Sequence, residues 1–178
     1  MSLQPGTHVF GPDNATLSVH TGRTGAAAKA GHDLVIDVTE WQATLEVGDR
    51  ASIALDADAT SLRVRDGTGG IQALGDDDKA SIQETIHEDV LKGQAISFRS
   101  TSVEVADGAA ISVQGELTLV GTARPIELEL AMDDAGTLRG SIAFKQSDWE
   151  IAPYSTLFGA LKVADEVTVV IDAALPAG

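Results

Sequence analysis

The chain has 178 residues, with 27 acidic and 12 basic side chains, a formal net charge of −15 and no cysteine. This length predicts a single domain over residues 1–178, with enough chain to bury a sizeable core. The negative charge disfavours binding to nucleic acid or to anionic lipid surfaces, and the lack of cysteine excludes disulfides, thiolate catalysis and iron–sulfur clusters.

The first third of the chain has the alternation of apolar and polar residues that is typical of strands. It occurs in TLSVHT (16–21), LVIDVTEWQATLEV (34–47) and ASIALDADA (51–59). A period of two predicts half-buried antiparallel strands. Within 34–47 the apolar phase changes between Val38 and Trp41, which predicts a β-bulge where a sheet curves to close.

One stretch breaks the strand pattern and predicts a helix over residues 77–91. Ile82, Ile86, Val90 and Leu91 recur at helical spacing, and acidic residues crowd the first turn. Negative charge in a first turn is favourable for the helix dipole. Gly93 follows and is the expected C-cap.

The remainder of the chain again predicts strands, separated by loops rich in Gly and Asp. The strands are AISFRS (95–100), ISVQGELTLV (111–120), IELELAM (126–132), LRGSIAF (138–144) and VTVVIDAAL (167–175). Hairpin-type loops are predicted at ADGA (106–109), GTARP (121–125) and DDAGT (133–137). The Gly-rich stretch GTGGIQALG (67–75) follows no strand–helix unit of the dinucleotide-binding type and is interpreted as a flexible loop.

These segments amount to an all-β chain of eight strands with one helix. Two packed sheets or one closed barrel would satisfy the pattern. The barrel is favoured because the inward side chains are mostly small or mid-sized, with only 4% aromatic residues in the chain. An eight-stranded barrel lined in this way can hold one ligand, although the pattern is equally compatible with a filled core.

Several motifs in fixed order resemble one known family. They are DVLKGQAISFRS, then GELTLVGTARPIELEL with Gly115, Leu117, Thr118, Gly121 and Pro125, then KQSDWEI followed by LKVADEVTVVIDAAL. Together these stretches resemble the YceI-like family of lipocalin-like, polyisoprenoid-binding proteins, and the resemblance extends from about Thr7 to Leu175. The resemblance implies an eight-stranded antiparallel lipocalin-like barrel with a helix beside it. It also implies a lumen that takes a polyprenyl or quinone-type isoprenoid chain, and a possible homodimer.

The alternation and the resemblance together give a set of candidate ligand-binding residues on the inner face of the barrel. The set is Val19, Ile36, Val38, Phe98, Ile111, Val113, Leu117, Leu119, Ile126, Leu128, Leu130, Ile142, Phe144, Val169 and Ile171. Each of these side chains could equally be ordinary core.

The segment YSTLFGALKV (154–163) carries apolar residues without strand alternation. It precedes the last strand and is longer than a minimal hairpin loop, as lids and binding loops often are. We therefore consider Leu157, Phe158 and Leu161 as a lid over the barrel opening, with Gly159 supplying backbone freedom. The alternative is a loop that packs permanently on the core or on a dimer partner.

Polar candidates surround the connection between residues 20 and 32. His20, Arg23, Lys29 and His32 are candidates for contact with a lipid headgroup. A metal site of His20, His32 and Asp33 is conceivable, but the spacing matches no known metal motif, and we expect no metal.

No catalytic motif is present, since the chain has no Gly-x-Ser-x-Gly, P-loop or His-Glu-x-x-His. We therefore expect a non-enzymatic lipid carrier or store that needs no cofactor. The alternatives are a metal or acid–base enzyme using His20 and His32, and a filled barrel that acts as a stress-related interaction module. The start of the chain lacks a signal-peptide pattern and no apolar run reaches the roughly 18 residues of a membrane helix. We therefore expect a cytoplasmic protein without stable membrane insertion.

Overall fold

The computed structural model describes residues 3–106 and 110–175, with the side chain of Leu157 excepted. These residues form one curled antiparallel sheet of twelve strands and one α-helix. The strands are β1 (Gly6–Phe10), β2 (Ala15–Thr24), β3 (Asp33–Val38), β4 (Trp41–Val47), β5 (Ser52–Ala57), β6 (Leu62–Thr68), β7 (Ile96–Val105), β8 (Ala110–Leu119), β9 (Thr122–Met132), β10 (Thr137–Lys145), β11 (Ser155–Thr156) and β12 (Leu161–Ala174). Helix α1 is Asp76–Thr85.

The strands follow the order β1-β4-β5-β7-β8-β9-β10-β12-β2-β3-β6, and β11 pairs with the start of β12. The all-β, lipocalin-like prediction is therefore confirmed. The predicted count of eight strands is wrong, because β1, β6 and β11 were not predicted and the segment 34–47 forms two strands. Strand β6 was not predicted because few of its residues are apolar. Leu62 and Val64 are its only large apolar residues, and Arg63, Arg65 and Asp66 are charged.

Between Val38 and Trp41, where a β-bulge was predicted, the chain bends at a corner between two strands, whereas the register shift of the β3–β6 ladder lies earlier, at Val35 and Ile36. Strands β3 and β4 pair with β6 and β5, respectively, so the two chain segments form one bent ribbon. At the bend, Thr39 N–H donates to the Ser61 carbonyl at 3.1 Å, and Asp58 N–H donates to the Glu40 carbonyl at 2.9 Å. The change of apolar phase thus marks the point where the ribbon turns from one part of the curled sheet to another.

The buried side chain of Ser61 stabilises this corner by hydrogen bonds. The Ser61 hydroxyl accepts from Glu40 N–H at 3.0 Å and lies 2.7 Å from the Asp58 carbonyl. Asp58 adds a cap, since its carboxylate accepts from both the N–H and the hydroxyl of Thr60. The corner therefore satisfies its polar backbone groups where strand pairing cannot.

The predicted helix is confirmed, with a wider last turn. Helix α1 ends at Thr85 and continues as one π-type turn, Ile86–Val90, with Leu91 N–H bonded to the Ile86 carbonyl. The helix covers the free edge of β6. Gln83 accepts from Val64 N–H at 2.9 Å, and His87 Nε2 donates to the Leu62 carbonyl at 3.1 Å. Covering an edge strand in this way removes a site for unwanted strand pairing.

Two of the three predicted hairpin loops lie among the described residues. The reversal after β8 is a two-residue turn of Val120 and Gly121, both with positive φ, as type I′ hairpins require. The loop before β10 is held by Asp133, whose carboxylate accepts from the N–H groups of Ala135 and Thr137. Of the third loop, ADGA, residues 107–109 lie outside the described residues.

We expect Ser61→Ala to destabilise the fold by about 0.5–1.5 kcal/mol, because it removes the hydrogen bonds of the Ser61 hydroxyl with Glu40 N–H and with the Asp58 carbonyl. Ser52→Ala, at an exposed position of β5, serves as the matched control and should change little. Urea denaturation of both variants measures the difference. Equal midpoints would contradict the role given to Ser61.

The Asp58 cap predicts a defined pH dependence. Hydrogen bonds from the hydroxyl and the N–H of Thr60 lower the pKa of Asp58 below its ordinary value of 3.8. The cap therefore contributes stability above that value and loses it as the pH falls through the lowered pKa. Asp58→Asn keeps a capping oxygen but cannot ionise. Melting temperatures should favour the wild type at pH 6 and converge with those of the variant in strong acid; a constant difference across that range would contradict this.

Candidate functional site

The curled sheet encloses a cavity of about 600 Å³ with a predominantly apolar wall. The inner faces of the strands supply this wall, as the alternation predicts. Fifteen of the candidate residues lie on it: Val19, Ile36, Val38, Phe98, Val113, Leu117, Leu119, Ile126, Leu128, Leu130, Ile142, Phe144, Leu161, Val169 and Ile171. The interior is thus not filled by side chains. That these residues contact a ligand stays a prediction.

Ile111 does not reach the cavity. It is among the most completely buried side chains and pairs with Leu130 and Val105 near the end of the barrel that is filled by core. Met132 and Leu138 lie in that same filled end. The alternation places Ile111 on the correct face, but only the register of the sheet shows that its level lies beyond the cavity.

The predicted lid differs from the structure at Phe158. Strands β11 and β12 pair through Ser155 with Lys162 and Thr156 with Leu161, which leaves Phe158 at the tip of a short turn. Its backbone is left-handed, with φ 54°, and its side chain is fully exposed. Phe158 therefore neither lines nor covers the cavity, whereas Leu161 lines it. The side chain of Leu157 lies outside the described residues.

The helix supplies a part of the wall that was not predicted as part of the site. Ile82, Ile86, Val90 and Leu91 all line the cavity. Their helical spacing is visible in the sequence, but the sequence does not indicate which surface the helix covers. Leu17, Ile53 and Leu55 also line the cavity and were not among the candidates, although Leu17 lies on the same face of β2 as Val19.

One end of the cavity is polar and contains two of the four predicted headgroup candidates. Arg23 lies at the end of β2, where it donates to the Gly31 carbonyl and its Nε lies 3.6 Å from an Asp33 carboxylate oxygen. His32 Nε2 donates to the Gln72 carbonyl at 2.6 Å. Both Arg23 and His32 line the cavity. We refer to this region as the polar end.

The Gly-rich segment 67–75 packs closely on this polar end. Gly69 and Gly70 have φ of 79° and 76°, and a Cβ atom on either would overlap the Arg23 guanidinium or the His32 ring, respectively. Only glycine combines this backbone conformation with so close an approach. The segment interpreted from the sequence as a flexible loop is thus fitted against two wall residues.

The other two headgroup candidates lie away from the cavity. His20 is exposed on β2, and its ring nitrogen lies 3.3 Å from the Ser18 hydroxyl. Lys29 is exposed in the 3₁₀ turn Ala28–Ala30. Because His20 and His32 do not converge, the proposed pairing of the two is not formed. Within residues 3–106 and 110–175, no group of three His, Asp or Glu side chains could hold a metal ion.

Several polar wall residues were not predicted, and Lys162 and Gln146 are two of them. Lys162, opposite Ser155 in the β11–β12 hairpin, lines the polar end and makes no ion pair with any described residue. Gln146 lines the cavity although it is only 9% exposed, and its Nε2 donates to the Ala164 carbonyl at 3.1 Å. Sequence gave no signal for either, since a single Lys or Gln near a strand end is ordinary surface composition.

The Ser-Asp-Trp unit of the sequence explains how Gln146 is held. Ser147 donates from its N–H and hydroxyl to the carboxylate of Asp165, and these hydrogen bonds lower the pKa of Asp165. The Trp149 indole N–H donates to the Leu117 carbonyl at 2.8 Å, and its ring lies 4.7 Å from that of Phe144. The turn Gln146–Trp149 is therefore fixed at both ends, and Gln146 with it.

No helix in the described part of the chain is long and apolar enough to cross a membrane.

Comparison with known proteins shows which solved structures share this fold. No curated protein sequence matches the chain. Among solved structures, BcnA of Burkholderia cenocepacia is similar with a TM-score of 0.63 and 16% identity, over 89% of this chain and 94% of that one. The YceI protein of Campylobacter jejuni is similar with a TM-score of 0.57 and 14% identity, over 80% of this chain and 85% of that one.

Identities this low show a shared fold. The family itself is shown by sequence, because the model of the YceI-like domain matches residues 12–175, which is most of the chain. That span contains all the wall residues of the cavity. The curled sheet, its cavity and the motifs of the sequence all agree, and the chain belongs to the YceI-like family.

Proposed function

We propose that this protein binds a long-chain isoprenoid lipid, of polyprenyl or quinone type, in its cavity and carries or stores it without catalysing a reaction. The observation that carries the proposal is the apolar cavity of about 600 Å³. Ligand pockets fall in a range of roughly 300–1,000 Å³. The wall is built from aliphatic side chains of nearly every strand, which suits an unbranched or methyl-branched hydrocarbon chain better than a compact polar metabolite.

The energetics are sufficient for useful affinity. Burial contributes roughly 0.8 kcal/mol per CH₂, so four isoprene units give on the order of 10 kcal/mol before costs. Association and chain immobilisation remove part of this gain. A micromolar dissociation constant needs about 8 kcal/mol, which leaves the apolar wall as the main source of affinity.

The rival functions have less support. A filled barrel acting only as an interaction module does not account for the open interior. An enzyme that pairs His20 with His32 does not account for His20 being exposed on β2 while His32 lies on the cavity wall. Native mass spectrometry of the purified protein, followed by organic extraction, tests the proposal directly. A co-purified isoprenoid supports it, and a stoichiometric metal in place of a lipid would overturn it.

We expect Ile142→Phe to reduce uptake of a fluorescent isoprenoid about ten-fold, since the added ring occupies space that the chain needs. Ile142 lines the cavity, whereas its neighbour Ala143 is exposed on the outer face. Ala143→Phe is therefore the matched control and should bind like the wild type. Circular dichroism verifies that both variants stay folded, and equal uptake by the two would argue against the cavity as the site.

The β11–β12 hairpin is expected to limit ligand release through Leu161 and not through Phe158. Leu161 lines the cavity and packs against Gly31, while Phe158 is exposed. Leu161→Ala should raise the ligand off-rate several-fold and cost about 1–2 kcal/mol of stability, less than a fully buried leucine would. Phe158→Ala should leave both unchanged.

Stopped-flow displacement, thermal denaturation and size-exclusion chromatography on these two variants test this assignment. A faster off-rate in Phe158→Ala would restore the lid role of that ring. A change of molecular mass in Phe158→Ala would instead identify the exposed ring as a dimer contact.

A further inference from the structure

The ladder between β9 and β10 is much shorter than the ladders that these strands form with their other neighbours. Among the described residues it comprises three pairs, the last of which joins Gly140 to Leu130. By contrast, β9 pairs with β8 over residues 122–131, and β10 pairs with β12 over residues 137–145. Beyond Gly140 the two strands therefore separate, because β9 follows β8 while β10 follows β12. This separation leaves a gap in the wall.

Both ends of the gap are fixed by contacts. At one end the two backbones approach closely, since a Cβ atom on Gly140 would lie 2.8 Å from the Glu129 carbonyl oxygen. At the other end the turn Gln146–Trp149, which follows β10, is bonded to β9. There the Arg124 Nε donates to the Asp148 carbonyl at 3.0 Å. The gap is thus a defined opening between two anchored points.

The cavity extends into this gap. Ile126 and Leu128 of β9 and Ile142 and Phe144 of β10 line the cavity on either side of it. Ser141, in the middle of β10, is exposed and points outward by alternation, yet it also borders the cavity. An outward-facing strand residue borders an interior space only where the wall beside it is interrupted. The gap therefore connects the cavity with the outer surface of the sheet.

The edge of β9 at the gap is unsuited to pairing with a further strand. Counted from the two-residue turn that closes the β8–β9 hairpin, the nitrogen of Pro125 points toward the gap and not toward β8. Proline has no N–H to donate to an added strand. The side chains of Glu127 and Glu129 accept hydrogen bonds from Gln114 and Ser112 of β8, respectively. These two carboxylates are thereby held away from the gap and leave it open.

The ends of the cavity are held by contacts that the gap lacks. One end is filled by buried core around Leu138. At the polar end, Ala27 N–H donates to the Ala160 carbonyl at 2.8 Å, and Leu161 packs against Gly31, so the β11–β12 hairpin is tied to the segment that follows β2. Separating any two paired strands breaks ladder hydrogen bonds. Widening the gap between β9 and β10 breaks none.

We propose that the gap between β9 and β10 is a lateral portal, through which a hydrocarbon chain enters and leaves the cavity sideways. The inference rests on the proposed function and adds to it the route that the ligand takes. The chain passes between the apolar side chains of Ile126 and Leu128 on one strand and those of Ile142 and Phe144 on the other. Leu161 keeps the polar end closed, and its replacement by alanine opens a second route beside this one.

A cross-link across the gap tests the portal. The chain has no cysteine, so Glu127→Cys combined with Ala143→Cys supplies the only thiol pair. If the register at Gly140 and Leu130 continued, these two exposed residues would lie opposite each other. Gln114→Cys combined with Glu127→Cys is the matched control, because these residues pair within the intact β8–β9 ladder. A short bismaleimide joins each pair, and mass spectrometry verifies the product.

Stopped-flow fluorescence then measures uptake and release of a fluorescent isoprenoid. We expect the cross-link across the gap to slow both rates about ten-fold, because the chain must then take a route with a higher barrier. The equilibrium affinity should stay unchanged, since the modified side chains lie outside the cavity. The control cross-link should leave both rates unchanged. Ser141→Trp should slow both rates without any cross-link, because its ring occupies the gap, whereas Gln114→Trp on the outer face of β8 should not.

Unchanged rates after complete cross-linking of the gap would overturn the portal and leave the proposed function standing. Equal slowing in both cross-linked proteins would also overturn it, because general stiffening of the sheet would then be the cause. If the pair across the gap does not react, equal rates in Ser141→Trp and Gln114→Trp would overturn the portal. Failure of the probe to bind the wild type would instead overturn the proposed function, and the portal with it.

Discussion

The curled sheet surrounds a cavity that its own side chains do not fill, and the rest of the structure depends on keeping that cavity enclosed. Closely packed cores are stabilised by contacts across the middle, and a cavity of about 600 Å³ forgoes many of those contacts. The wall must therefore be maintained by its hydrogen-bonded ladders and by its two ends. The bent ribbon of β3–β4 with β5–β6, fastened by Ser61, is the device that turns a flat sheet into an enclosure.

The two ends of the cavity are stabilised by different interactions. At one end Ile111, Met132 and Leu138 are buried in the core, beside a second cavity of only about 40 Å³ that Leu138 lines. At the other end the chain is held by polar contacts, such as Arg23 with Gly31 and His32 with Gln72. Helix α1 then covers the exposed edge of β6 and presents Ile82 and Ile86 to the cavity. The cavity is thus bounded by strands and by a helix that the core at its other end holds in place.

Alternation in the sequence predicted an all-β chain and fourteen of the residues that line the cavity. Residues such as Leu128 and Val169 sit where a period of two puts them, because every second residue of a strand must face the interior. The helix was predictable for the same reason, since Ile82 and Ile86 repeat at its own period. Alternation cannot specify height along the barrel, and Ile111 was therefore assigned to the cavity although it lies in the filled end.

Features that depend on which strands meet could not be predicted. The change of phase at Val38 is equally consistent with a bulge and with a corner, and only the pairing of β3 with β6 distinguishes them. Phe158 was assigned to a lid because its side chain is hydrophobic. The β11–β12 hairpin has only two residue pairs, however, and Phe158 lies at its exposed tip. Lys162 and Gln146 gave no signal, because their significance comes from the cavity they border and not from their local sequence.

The contrast between the apolar wall and the polar end also determines how a chain-shaped ligand would be oriented. Hydrophobic burial is non-directional, so the wall alone would accept an amphiphile in either direction. A head placed against the dense end near Leu138 would lose its hydration without gaining a partner, at a cost of about 2–7 kcal/mol. The opposite end of the cavity is lined by polar side chains, among them Arg23 and His32. A hydrocarbon chain with a polar head would therefore avoid placing that head at the end near Leu138.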